Sequence, residues 1–154
     1  MDLLLWRHAH AREALPGESD MDRPLTGKGI RQAENMAGWL NRHMPANTLV
    51  LCSPAVRTVQ TARALTQVFT LSQEIKPDSS AEALLAASQW PHAQTAVLIV
   101  SHQPFLSQAV SQLLDLPLAV TLPFRKGSLW WIRSRPLNGA IKPQLLTIQD
   151  ADFL

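Results

Sequence analysis

Leu5-Trp6-Arg7-His8-Ala9 closes an apolar run at the start of the chain, and Ser101-His102-Gln103-Pro104 closes another after Ala96 to Val100. Between them, Leu49-Val50-Leu51-Cys52 runs into Ser53-Pro54-Ala55-Val56-Arg57-Thr58. Short apolar runs read as buried strands, and the segments after them carry apolar residues at three- and four-residue steps. Strands alternating with helices define an α/β sheet with helices on its faces. In open sheets of this kind ligands bind beyond the carboxyl ends of the strands. Arg7-His8, Ser53 to Arg57 and Ser101-His102 all occupy such ends, so two arginines and two histidines meet on one rim. That set suits a phosphate dianion.

The elements follow outward from these three points. Leu3 to Trp6 is the first strand. Thr26 caps a helix whose positions Ile30, Ala33, Ala37, Leu40 and Met44 face a core, and Pro45 ends it. Thr48 to Cys52 is the second strand, with Ser53 as N-cap and Pro54 as first residue of a helix that places Val59, Ala62, Leu65 and Phe69 on one face. A weaker strand is expected at Glu74 to Lys76, then a helix from Ala81 to Trp90, with Ser79 and Glu82 as its capping box. Ala96 to Val100 is the clearest buried strand, followed by a helix over 104–114 with Leu106, Ala109 or Val110, and Leu113 inward. Ser128 to Arg133 and Gln144 to Ile148 close the sheet. Trp130 and Trp131 then point to opposite faces, one to core and one to the rim or surface.

The 154 residues suit a single domain over 1–154, its last residues 149–154 a loose tail. With 46% hydrophobic and 17% charged residues the chain is globular, and no apolar run reaches membrane-span length. The 14 Lys and Arg are scattered rather than clustered, which argues against nucleic acid. Nothing at Met1-Asp2 resembles a signal peptide, so the cytoplasm is the expected compartment. The single cysteine, Cys52, reads as a small core residue. Among the five histidines there is no His-x-x-x-His spacing, no Cys-x-x-Cys, and no acidic cluster near the three loops. No metal and no cofactor are expected. His10, His43 and His92 stay unassigned, with His43 suited to the carboxyl end of its helix.

Side chains on a helix lean toward its N-terminus, so the Arg57 guanidinium reaches back to the strand end. Pro104 opens a helix just after His102, and the free N–H groups there favour an anion. Each of these residues taken alone reads as an ordinary surface group; their joint placement is what carries weight.

The order and spacing of these segments resemble the histidine phosphatase superfamily, the phosphoglycerate mutase-like fold. The likeness covers Arg7-His8-Ala9, Arg23-Pro24-Leu25-Thr26-Gly27-Lys28-Gly29 with Gln32-Ala33, Ser53-Pro54 with Arg57-Thr58 and Gln60-Thr61-Ala62, and Ser101-His102-Gln103-Pro104. The Arg-Pro-Leu-Thr segment and short chain are most similar to the SixA-type phosphohistidine phosphatases. The resemblance implies a three-layer α/β/α sandwich with a mixed, mostly parallel six-stranded sheet. It implies that His8 is the nucleophile forming a phosphohistidine intermediate, with Arg7, Arg57, His102 and Gln103 around the phosphate, and hydrolysis without a metal. Ala9 stands where most of the family has glycine. Asp78 is the candidate general acid, ahead of Glu82.

The expected substrate is phosphohistidine on a protein partner, such as a histidine phosphotransfer domain. Imidazole leaves readily, whereas an alkoxide needs a proton badly. The stretches Ala11 to Leu25 and Thr70 to Ser80 are short for a lid, which fits a protein substrate. A small phosphorylated metabolite is the alternative. A phosphate-binding module without catalysis is the third reading, and His8 argues against it.

Overall fold

The structure, a computed structural model, describes residues 1–117 and 122–154. Its strands are β1 (Asp2–Arg7), β2 (Leu49–Cys52), β3 (Thr70–Leu71), β4 (Val97–Ser101), β5 (Leu129–Leu137) and β6 (Ala140–Gln149). Its helices are α1 (Gly27–His43), α2 (Val56–Leu65), α3 (Ala81–Ala87) and α4 (Phe105–Leu113). One sheet holds all six strands in the order β3-β2-β4-β1-β5-β6. The first four run parallel, β5 is antiparallel to β1, and β6 is antiparallel to β5, so β5 alone runs against the rest.

Strand alternation sorts the core into two halves. Leu3, Leu5, Val97, Ile99, Trp130 and Ile132 pack with Phe105, Leu106 and Leu84 under α3 and α4. Leu4, Trp6, Leu98, Val100, Leu129 and Trp131 pack with Met36, Leu40 and Ala62 under α1 and α2. A sheet covered on both faces needs strands with continuous apolar runs, and Leu3 to Trp6 of β1 and Val97 to Val100 of β4 are such runs. Each fully buried Leu or Ile here contributes about 1.5–3 kcal/mol. The expected three-layer α/β/α sandwich is therefore the observed one.

Several details differ from expectation. The third strand is Thr70–Leu71, while Glu74 lies in a 3-10 turn whose single anchor, Ile75, is buried. An edge strand with both side chains exposed leaves no apolar alternation to read. α3 stops at Ala87, capped by the Ser80 side chain rather than by Ser79, so Glu82 lies one position short of a capping box and bonds Gln112 instead. Ile30 is exposed, and Met36 takes its place on the buried face of α1. α2 ends at Leu65, leaving Phe69 beyond it but still packed on the core. Both Trp130 and Trp131 are buried, because helices cover both faces. Trp130 stacks on Phe124, and Trp131 meets Trp39 edge-on.

The closing strands form one hairpin longer than expected, through Pro136 and Pro143. Asn138 and Gly139 both adopt positive φ at its tip, a pairing that suits a two-residue hairpin turn. The C-terminus is docked rather than loose. Gln149 pairs with Leu129, Ala151 is fully buried, and Asp152 accepts from Gln32.

α1 is pressed against the segment that follows β1. Thr26 caps it and its backbone N–H donates to the His10 carbonyl. A methyl group at Gly29 would overlap that same carbonyl oxygen, whereas one at Gly27 would meet only the end of the Arg31 side chain. Gly29→Ala is therefore expected to lose about 1–3 kcal/mol of stability in urea unfolding, with Gly27→Ala close to neutral. Equal midpoints for the two variants would show that the approach of α1 to His10 is not a constraint.

Candidate active site

Three adjacent parallel strands, β2, β4 and β1, deliver the site at their carboxyl ends. Arg7 is in register with Ser101, and the His8 N–H donates to the Ser101 carbonyl at 3.0 Å. The Ser53 N–H donates to Val100 at 3.1 Å, which brings the β2 end alongside. On the other flank the Gly127 N–H donates to the His8 carbonyl at 3.1 Å.

These joints bring together Arg7, His8, Arg57 and His102, four of the residues singled out in the sequence. The His8 and His102 rings lie 5.2 Å apart, centroid to centroid. The Arg57 guanidinium stands 3.3 Å from His102 Nδ1. Arg57 is only 3% exposed, an unusual state for arginine.

The hydrogen bonds fix both tautomers. His8 Nδ1 sits 2.8 Å from the Ala9 carbonyl, which can only accept, so Nδ1 carries the proton and Nε2 keeps its lone pair. Arg57 can only donate, so His102 Nδ1 accepts from it, and Nε2 donates to Ser53 Oγ at 2.7 Å. Ser53 is therefore no helix cap. α2 begins at Val56 with Ala55 as an uncapped N-cap, and the serine supports a histidine instead.

The field of the site keeps both rings neutral. Burial, then the Arg57, Arg7 and Lys126 charges, pulls the His8 pKa down to about 3 against the opposing pull of the Ala9 carbonyl. Burial and the neighbouring His8 and Arg57 pull His102 down to about 2. Burial also lowers Arg7 and Arg57, yet guanidinium starts high enough to stay charged. Arg7 donates to the Phe124 carbonyl at 2.6 Å, and the Nε atoms of both arginines are buried without a partner. The pocket holds two cations and one contacting carboxylate.

That carboxylate, Asp20, was not anticipated. It lies in a 3-10 turn, Asp20–Asp22, where its carbonyl accepts from Arg57 at 2.6 Å and its side chain accepts at 2.9 Å. Arg23 holds its other oxygen at 2.8 Å. Both guanidinium contacts keep the Asp20 carboxyl below its usual range against the opposing effect of burial. The one signal for it in the sequence is the three-residue spacing of Asp20 and Arg23.

Other expected residues lie elsewhere. Gln103 turns its side-chain oxygen to the Ser107 N–H at 2.9 Å, which caps the first turn of α4. Asp78 is 74% exposed and ion-pairs with Lys76, with no bond to any of the four central residues. Ala9 has negative φ and is fully buried, so glycine is not required there. The remaining motif residues are scaffold. Thr61 Oγ1 accepts from the Ala9 N–H, Gln32 Oε1 from the His10 N–H, and Gln60 Oε1 from the Leu25 N–H. Cys52 is buried in the core, where its thiol is pushed up to about 12. His43 stacks on Trp39 at the end of α1. No group of three or more metal-ligating side chains occurs among the described residues. No helix there is long and apolar enough to cross a membrane.

Residues 3–80 match the model of the histidine phosphatase superfamily (branch 1), and the chain belongs to that superfamily. An uncharacterized protein of Mycobacterium tuberculosis is 51% identical over 53 residues, a match that spans 34% of this chain and 34% of that relative's length. The phosphohistidine phosphatase SixA of Escherichia coli is 31% identical over 121 residues, covering 73% of this chain and 74% of that protein. Among solved structures, a SixA candidate from Nakamurella multipartitia superposes with TM-score 0.77 at 26% identity, covering 96% of this chain and 94% of that one.

Both histidines are held with folded-state pKa values below the ordinary 6.5, so the unfolded chain binds more protons than the folded one below that pH. Their contribution is intact above pH 6.5 and is lost as pH falls from there toward 3. Between pH 6.5 and 5 the expected loss is on the order of 1–2 kcal/mol per histidine. Urea unfolding of wild type beside His8→Asn and His102→Asn checks this. Equal pH slopes in all three proteins would contradict the neutral, buried state of the rings.

Proposed function

We propose that this protein is a phosphatase that hydrolyses phosphohistidine on a protein partner through a phosphohistidine intermediate at His8. The observation that carries this reading is a neutral imidazole whose Nδ1 is tied to Ala9, leaving the Nε2 lone pair in the field of the buried Arg57 and the half-buried Arg7.

In the first step His8 Nε2 attacks phosphorus in line, and the bond from phosphorus to the substrate nitrogen breaks. The electron pair goes to the leaving imidazole, which carries its own proton or takes one from water. Arg7 and Arg57 hold the equatorial oxygens, where arginine's fork geometry and permanent charge suit a transferring phosphoryl group. The dianion raises the His102 pKa. In the second step water attacks phosphorus, His8 leaves with its electron pair, and the water's proton passes to phosphate or solvent.

The name of the Escherichia coli relative supports this substrate class. So does the ionised state of Asp20: a carboxylate clamped by two guanidiniums is a poor proton donor, which suits a leaving group that needs none. Cys52, the single cysteine, is a buried thiol, in keeping with the cytoplasm as compartment.

The test sets a phosphohistidine peptide beside p-nitrophenyl phosphate, with EDTA present, for wild type, His8→Ala and Asp78→Asn. Expected are acid-labile, base-stable phosphate on the wild-type protein and a preference for the peptide. His8→Ala should lose turnover by on the order of 10³-fold or more, while Asp78→Asn keeps it within about twofold, as its exposed position implies. A preference for the aryl ester would move the assignment to a small-molecule phosphomonoesterase. Phosphate binding without turnover of either substrate would leave a binding module.

A further inference from the structure

Beside the four central residues lies a second cavity of about 230 Å³, lined by His10, Lys28, Gln32, Arg125, Lys126 and Asp152. Its position is fixed by the reactive strand itself. Arg125 to Ser128 is a tight turn, closed by the Ser128 N–H and Oγ donating to the Arg125 carbonyl at 3.0 and 2.6 Å, with Gly127 at φ 78°. The turn is tied to the site at two points, where Arg7 donates to Phe124 and Gly127 donates to His8. Lys126 therefore stands at the tip of a turn whose next residue bonds the His8 backbone. His10, two residues beyond His8, forms another wall, its ring held to Thr26 Oγ1 at 2.8 Å.

The charges in this cavity are unbalanced. Asp152 is the one carboxylate in the lining, and it is already engaged by Gln32, Lys28 and Arg125. Arg125 is held further by Asp150 at 2.8 Å. Lys126 pairs with no carboxylate among the described residues, and its charge reaches both His8 and His10. Such a cation on a solvent-accessible wall, adjacent to the phosphoryl site, favours a second negative group on the same ligand.

We propose that this cavity is a second-anion subsite: Lys126, with His10 and Lys28, receives a carboxylate that the substrate carries beside its phosphoryl group. The proposal rests on the phosphatase reading above and names a feature of its substrate. An acidic side chain flanking the phosphorylated residue of a protein and a carboxylate on a small phosphorylated molecule share this chemistry.

The test compares two matched pairs in wild type, Lys126→Ala and Lys126→Glu. One pair is phosphohistidine peptides with Asp or Asn flanking the phosphorylated residue, and the other is 4-carboxyphenyl phosphate against phenyl phosphate. Wild type should prefer the carboxylated member by about fivefold in KM, with the preference lost in Lys126→Ala and reversed in Lys126→Glu. A preference confined to the peptides assigns the carboxylate to a protein substrate, and one in both pairs shows that a free carboxylate suffices. No preference in wild type, or a preference that survives Lys126→Glu, overturns the subsite while leaving the phosphatase reading intact. If neither pair is turned over, the phosphatase reading fails, and calorimetry on His8→Ala with a stable phosphotriazole analogue still decides the subsite. Equal affinities for the Asp- and Asn-flanked analogues would overturn it there.

Discussion

A guanidinium buried to 3% exposure dominates the physics of this molecule. Removing a cation from water is costly unless charge and hydrogen bonds replace the solvent. Arg57 receives the carbonyl and carboxylate of Asp20 and the lone pair of His102 Nδ1. That last contact dictates the His102 tautomer, and the tautomer in turn requires Ser53 as proton acceptor. Burial together with the same positive field keeps His8 unprotonated, as the nucleophilic role proposed for it requires. Burial, reinforced by this one charge, thus keeps both histidines neutral, and the same charge ties the Asp20 and His102 loops together.

Holding such a site demands backbone precision, and much of the motif sequence serves that end. Thr61 takes the Ala9 N–H, Gln32 the His10 N–H, and the Thr26 N–H donates to the His10 carbonyl. The chain just after β1 has left the sheet, so its polar groups must find side-chain partners or go unpaired. α1 and α2 provide those partners, and the fit leaves no room for a side chain at Gly29. The small residues Ala9, Ala11 and Ala33 pack with Leu25 in a separate apolar knot beneath the loop. Residues that never touch a substrate are in this way bound to fixed positions relative to His8.

What the sequence revealed depended on whether the signal was local. Leu3 to Trp6 and Val97 to Val100 are apolar without interruption because both faces of the sheet are covered, and that is visible in one dimension. Arg7, His8, Arg57 and His102 were legible because each follows or soon follows such a run. Asp20 was not, since its partner lies 37 residues away and its own segment has no periodicity. The Ser53-Pro54 pair carried a helix-start signal that tertiary structure overrode, because His102 competes for the same hydroxyl. The capping role of Gln103 was hidden behind its neighbour His102: its side chain closes the first turn of α4 through the Ser107 N–H. The docked C-terminus was hidden because Asp152 finds its partners on α1 and at Arg125, far away in sequence.

The state of Asp20 also bears on which bonds the site can break. A proton donor for an alkoxide must hold its proton near neutral pH, which means a carboxyl pKa raised by burial or by like charge. Asp20 is driven the other way by Arg23 and Arg57, and it touches Arg57 directly. If burial alone governed it, it would be an acid; with two guanidiniums on its oxygens it is a fixed negative charge that orients an arginine. A carboxylate in that state supports the proposed phosphohistidine substrate, because imidazole, whose conjugate acid titrates near 6.5, leaves more readily than an alkoxide.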